Sequence, residues 1–173
     1  MPELPERSRP RRQWPGTGNF GTLLRDPAFA AMELVNGRMI ERGFTDFRPA
    51  HGTIGQHLRD EGSRITELAE LTQLTKPTVT YLVNDLEQLG YVERVADPAD
   101  RRAKLVRPTA RGRRAQQAGR EIVTEIEQDW SHALGERDFQ TLRGLLRRLH
   151  DVLWAAGGGD QAATGRRTAG GPS

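Results

Sequence analysis

Residues 65–89 read Ile-Thr-Glu-Leu-Ala-Glu-Leu-Thr-Gln-Leu-Thr-Lys-Pro-Thr-Val-Thr-Tyr-Leu-Val-Asn-Asp-Leu-Glu-Gln-Leu, two helical patterns with almost nothing between them. Ile65, Leu68, Ala69 and Leu71 give a short amphipathic helix. Gln73, Leu74 and Thr75 form a tight connection, Thr75 is placed to cap a second helix, and Pro77 falls in its first turn. In that helix Val79, Leu82, Val83, Leu86 and Leu89 recur at spacings of three and four and turn inward. The opposite face carries Lys76, Thr78, Thr80, Tyr81, Asn84 and Gln88. Two helices joined by a short turn, the second polar near its start, match the way a helix enters the major groove of DNA. Asn, Thr and Tyr can read base edges or hold phosphates, and Lys can do either. Taken alone, the stretch fits an ordinary helical hairpin with a wet outer face equally well.

The segment that follows tips the balance. Tyr91–Val95 and Lys104–Arg107 read as short strands, and Asp97-Pro98-Ala99-Asp100 between them is turn chemistry. Arg101, Arg102 and Lys104 emerge from the turn, so a two-stranded wing tipped with cations can straddle phosphates and reach into the minor groove. Asp100 beside those arginines suits a group that orients one guanidinium through a bidentate pair.

Charge agrees with this placement. The 173-residue chain has a net charge of only +3, yet residues 91–114 hold eight basic side chains against three acids, Glu93, Asp97 and Asp100. A concentrated basic patch in an otherwise balanced chain points to a polyanion, and a solvated basic face is its plainer reading. Nearly all the cations are arginine, whose planar fork suits phosphate and guanine.

These segments resemble the MarR family of winged-helix regulators. The resemblance rests on residues 65–69, 75–80, 86–94 (Leu-Glu-Gln-Leu-Gly-Tyr-Val-Glu-Arg), 97–102 (Asp-Pro-Ala-Asp-Arg-Arg) and Thr109-Ala110-Arg111-Gly112, and it extends over roughly residues 22–154. It implies a homodimer whose N- and C-terminal helices intertwine, each protomer carrying a winged helix-turn-helix. It also implies transcriptional control, usually repression, at imperfect palindromes, and in many members release by small, often phenolic ligands. Two positions depart from the commoner pattern: Tyr81 stands where many relatives have arginine, and Asn84-Asp85 replaces an acidic-basic pair. The operator is therefore not transferable from relatives.

The rest of the chain fits a mainly α fold with a small β-hairpin wing, an α+β winged helix-turn-helix joined to a helical dimerisation region. Residues 1–18, rich in proline and arginine, read as a flexible basic arm, and 157–173, rich in glycine, alanine and threonine, as a disordered tail. Between them, 19–156 form the ordered domain, with the winged helix-turn-helix at about 50–108 and dimerisation helices at about 22–42 and 109–154. Leu23–Glu41 carries an apolar stripe, Pro49 opens a second helix running through Ile54 to Leu58, and Thr109 can cap a long helix. The last helix, Asp138–Trp154, aligns Leu142, Leu145, Leu146, Leu149, Val152 and Leu153 on one face, which is either core or interface. Two-fold symmetry favours interface, because it sets two recognition helices about 34 Å apart on DNA.

Other chemistries are weaker. Gly16-Thr17-Gly18-Asn19-Phe20-Gly21 spells a dinucleotide fingerprint without the βαβ unit that gives it meaning. His57 and Glu61 are spaced for one metal-bridging pair and lack further ligands. No nucleophile grouping stands out, and there is no cysteine. No catalytic residue, metal or cofactor is expected. Phe44, Phe47 and His51 could line a pocket for a planar organic acid, or could anchor the start of a helix. The longest apolar runs are five residues, so no membrane partner is expected and a cytoplasmic protein is. The expected activity is sequence-specific binding of double-stranded DNA by a homodimer, more often as repressor than activator. An architectural winged-helix protein with little sequence preference is the main alternative, and a protein-docking adaptor the next.

Overall fold

The computed structural model describes residues 4–8 and 18–157, except for the side chains of Arg101, Trp154 and Ala156. They fall into two compact units, 4–128 and 129–157. Most of the expected arm and tail lies outside the described residues.

Helix α1 (Phe20–Glu41) begins three residues earlier than its apolar stripe suggests, because Asn19 Oδ1 accepts the Thr22 N–H at 3.0 Å and caps it. Its buried face holds Ala30, Leu34 and Met39 together with Arg38. The Arg38 guanidinium donates to Ser8 Oγ at 2.7 Å and to Glu125 at 3.2 Å. Ser8 ends a single 3-10 turn, Glu6–Ser8, and is fully buried, so this part of the expected arm is packed on the domain. Helix α2 (Pro49–Gly55) stops short of Leu58. Gly52 and Gly55 weaken it, and Gln116 Nε2 donates to the carbonyls of Gly55 and Leu58 at 2.8 and 3.0 Å.

Helices α3 (Ile65–Thr72) and α4 (Lys76–Gln88) pack on each other and on α2. Gln73, in the left-handed region at φ 56°, makes the turn between them, and Thr75 Oγ1 caps α4 by accepting the Thr78 N–H at 3.3 Å. Val79, Leu82, Val83 and Leu86 are buried as their spacing predicts, while Leu89, at the C-cap where the helix ends, is only half-buried. Leu71 is not: it is 52% exposed. Leu68 and Ala69, with Ile65 and Thr72 beside them, set the buried arc of α3, and at 100° per residue Leu71 lies roughly 110° from its centre.

Helix α4 closes in a Schellman arrangement. Tyr91 N–H bonds Leu86 C=O at 2.8 Å and Gly90 N–H bonds Glu87 C=O at 3.0 Å, with Gly90 at φ 73°. The chain then enters β1 (Val92–Asp97), turns, and returns as β2 (Asp100–Pro108), antiparallel, with Arg94 opposite Val106 and Ala96 opposite Lys104. Both strands exceed their expected lengths. Asp97 next pairs with Asp100, which leaves residues 101–103 bulged on β2. Ser63 adds a one-residue third strand, exchanging hydrogen bonds with Val106 at 2.8 and 2.9 Å. Helix α5 (Ala110–Leu134) follows so closely that a Cβ on Gly112 would stand 2.0 Å from the Tyr91 carbonyl oxygen.

The core of the larger unit is built on Ile54, Leu68, Val79, Val83, Tyr91, Val106 and Ile122. The fold is thus mostly helical with one antiparallel hairpin, a winged-helix architecture. Helix α6 (Glu136–Gly157) exposes Leu145, Val152 and Leu153 by 55, 67 and 56%. Among the described residues no helix is long and apolar enough to cross a membrane.

Candidate nucleic-acid interface

The outer face of α4 is as polar and open as its sequence implies. Lys76, Thr78, Tyr81, Asn84 and Gln88 are exposed and Thr80 is half-buried. Tyr81 is 62% exposed, an amphipathic ring that the core does not claim. Thr78 is not wholly free, because its hydroxyl shares a 2.8 Å hydrogen bond with that of Thr75. At the far end of the face, Asn84 Oδ1 accepts from Arg94 Nη2 at 2.6 Å, and Arg94 Nη1 also bonds Glu87.

On the wing, Arg102 and Lys104 point to solvent, while the Arg101 side chain lies outside the described residues. Among the described side chains Asp100 holds no guanidinium: its Oδ1 accepts the backbone N–H of Arg102 at 3.0 Å and tightens the bulge. That task falls to Asp97. Arg64, just ahead of α3, donates to Asp97 Oδ2 through Nε at 2.8 Å and through Nη2 at 2.5 Å, while Asp97 Oδ1 takes the Ala99 N–H at 2.9 Å. The Ala99 N–H first and the Arg64 side chain second hold the Asp97 carboxyl below its usual range. The wing turn is thereby fastened to the start of the helix-turn-helix. The sequence reading missed Arg64, since an arginine before a helix carries no signal of a carboxylate 33 residues on.

A second network ties α2 to α4. His51 is completely buried, and its Nδ1 accepts the Arg48 N–H at 3.1 Å, so the ring proton sits on Nε2 and is donated to Asp85 Oδ2 at 2.8 Å. Arg48 Nη2 bonds the same oxygen. Burial, then the nearby Arg48 charge, lowers the His51 pKa and keeps the ring neutral. Asp85 therefore turns inward, away from the face that Asn84 occupies.

Phe44 and Phe47 both stand against the Tyr91 ring, and Phe47 also meets His51. Phe47 meets the Tyr91 and His51 rings edge-on at 5.1 and 5.5 Å, Phe44 stands 6.4 Å from Tyr91, and the Arg111 guanidinium lies 4.2 Å over the Tyr91 ring. The Tyr91 hydroxyl donates to Asp46 at 2.6 Å, and Arg111 bonds both Asp46 oxygens at 2.9 Å. Burial first, then Asp46, raises the Tyr91 pKa. Both His51 nitrogens are engaged, Nδ1 by the Arg48 N–H and Nε2 by the Asp85 carboxylate. A cleft of about 460 Å³ opens elsewhere, lined by Leu58, Arg59, Glu61, Arg113, Gln116 and Arg120, and includes none of Phe44, Phe47 and His51. Among the described residues no group of three His, Cys, Asp or Glu is placed to hold a metal.

A profile of the MarR family matches residues 48–103, from the start of α2 through the wing tip. The chain is also 31% identical to the transcriptional regulator Tm0710 of Thermotoga maritima, over 79% of this chain and 95% of that one, with a TM-score of 0.54. The chain belongs to the MarR family. The reduced form of MarR from E. coli shares the fold at 21% identity and TM-score 0.66, covering 78% of this chain and 98% of that one. A Thauera aromatica protein named as a transcriptional regulatory protein for the hcr operon is 29% identical over 100 residues. Those residues are 58% of this chain and 60% of that relative, so the chain spans under two thirds of its length. For a MarR-family protein, the departures at Tyr81 and Asn84-Asp85 now have places in the structure. Tyr81 is free on the outer face, Asn84 is held from β1, and Asp85 joins α4 to α2.

Proposed function

We propose that this chain is a homodimeric, sequence-specific DNA-binding transcriptional regulator that represses from a palindromic operator. The observation that carries the reading is the outer face of α4, where varied, exposed hydrogen-bonding groups rather than charge alone are presented on a rigid, capped helix next in sequence to a basic hairpin. Lys76, Thr78, Thr80, Tyr81 and Asn84 enter the major groove, while Arg101, Arg102 and Lys104 hold the wing on phosphates and in the minor groove. Asp100 positions the wing by fixing the backbone of Arg102.

Dimerisation is supported by apolar faces that the single chain leaves open: Phe20, Leu23 and Met32 on α1, and Leu145, Val152 and Leu153 on α6. Release by a small aromatic acid is the regulatory part of the reading. Phe47 meets His51, which connects through Asp85 to α4, and Phe44 and Phe47 share the Tyr91 ring, so a ligand displacing Phe47 or His51 would act on the recognition helix.

Selection from a random double-stranded DNA pool at near-physiological salt tests the reading, and the recovered duplex then serves to screen aromatic acids for release. A palindrome with half-sites about ten base pairs apart supports it. Bound DNA without a shared motif would show an architectural protein instead, and no retention at low salt would refute DNA binding altogether.

A further inference from the structure

The geometry points to Arg94 as a specificity-determining residue: by occupying Asn84 Oδ1, it makes Asn84 a hydrogen-bond donor that selects guanine or thymine over adenine or cytosine. The inference rests on the reading of α4 as a recognition helix.

Arg94 lies on β1 opposite Val106, and its side chain is 24% exposed. Its two terminal nitrogens are divided between Glu87 and Asn84, which stand one turn apart on α4. A guanidinium has only donors. The Asn84 atom facing it at 2.6 Å is therefore the carbonyl oxygen, and the amide orientation is settled by chemistry. Glu87, spending its charge on the same arginine, holds the fork in place. The Asn84 amino group has no hydrogen bond among the described residues and belongs to an exposed side chain.

Free asparagine reads adenine by two bonds at once, accepting from N6–H and donating to N7. Here an adenine amino group would have to share Oδ1 with a guanidinium and approach that group's positive hydrogens. What Asn84 has left to offer is N–H, which suits the paired acceptors of guanine (N7 and O6) and the O4 of thymine, whereas adenine offers N7 alone with its N6 amino donor beside it, and cytosine presents a donor. Arg94 thus acts on the DNA sequence through Asn84 without touching the DNA.

The test is selection from a random duplex pool with the full-length wild type, Asn84→Ala, Arg94→Met and Arg94→Lys, after circular dichroism melts show which variants fold. The operator column that Asn84→Ala flattens is the one Asn84 reads. In the wild type that column should favour guanine or thymine over adenine by about tenfold. Arg94→Met should move it toward adenine, while Arg94→Lys, which keeps a donor on Oδ1, should retain it. Adenine in that column of the wild-type selection overturns the inference even where Arg94→Met does not fold. So does a selected motif in which Asn84→Ala flattens no column. A wild type that retains no DNA refutes the functional reading itself, and with it this inference.

Discussion

Removing the two described wing-tip cations should change the salt dependence of DNA binding by an amount the structure fixes in advance. Arg102 and Lys104 are exposed and make no side-chain hydrogen bond or ion pair with any other described residue, so their charge is available to phosphate. In a dimer, Arg102→Ala with Lys104→Ala removes four such charges. Each phosphate contact contributes roughly 0.9 to the slope of log K against log salt, so the slope should become shallower by about 3.6. Between 50 and 200 mM salt, that difference amounts to roughly a hundredfold change in the ratio of wild-type to variant affinity. The two side chains share no partner, so each single substitution should account for about half of it. Fluorescence anisotropy of a labelled duplex carrying the selected site, titrated at four or five salt concentrations, measures the slopes. Parallel lines for wild type and double variant would show that the wing does not neutralise phosphates, whatever the loss of affinity at any one salt.

Three further outcomes follow from the contacts described. Tyr91→Phe removes a hydroxyl that donates to the Asp46 carboxylate, while Asp46 keeps both bonds from Arg111; urea unfolding should show a loss of about 1–2 kcal/mol, and a double-mutant cycle with Asp46→Ala should assign most of it to the pair. Asp97, whose folded pKa is depressed, adds stability that is present above its unfolded value of about 3.9 and is lost as pH falls through the folded value. Asp97→Asn should therefore destabilise the protein at neutral pH and flatten the acid limb of its stability curve, and an unchanged limb in pH-dependent melts would contradict the Arg64–Asp97 fastening. Leu145→Glu places a charge on the open apolar face of α6 and should shift the protein from dimer to monomer in sedimentation velocity, with a monomeric wild type refuting the interface.

Much of the fold was legible because the relevant signals are local. Four of the five inward residues, Val79, Leu82, Val83 and Leu86, the Thr75 cap and the Asp-Pro turn need only neighbours along the chain, and each appears in the structure where its spacing puts it, Leu89 at the helix end being only half-buried. The misses are where burial depends on partners distant in sequence. Leu71 looks apolar enough to pack, yet it faces outward because α3 presents a different arc to α4. Asp100 was expected to hold a guanidinium, but the bulge in β2 gives it a backbone N–H, and Asp97 meets Arg64 instead. Asn84 was legible as a polar outer residue, whereas its tether to Arg94 was not, since strand and helix meet only after the Schellman turn at Gly90 redirects the chain.

The amino-acid sequence by itself therefore determined the helical and hairpin segments, the position of the helix-turn-helix and the concentration of positive charge, all set by periodicity, capping and composition within a few residues. Tertiary structure alone decided which charged groups remain free. Of the polar residues clustered along α4 and the wing, folding consumes Asp85, Glu87, Arg94 and Asp97 in pairs and leaves Lys104, Arg102 and Tyr81 to solvent. The reason is geometric: a charge pairs with whatever the packed backbone brings within about 3 Å, and no pattern along the chain records that distance.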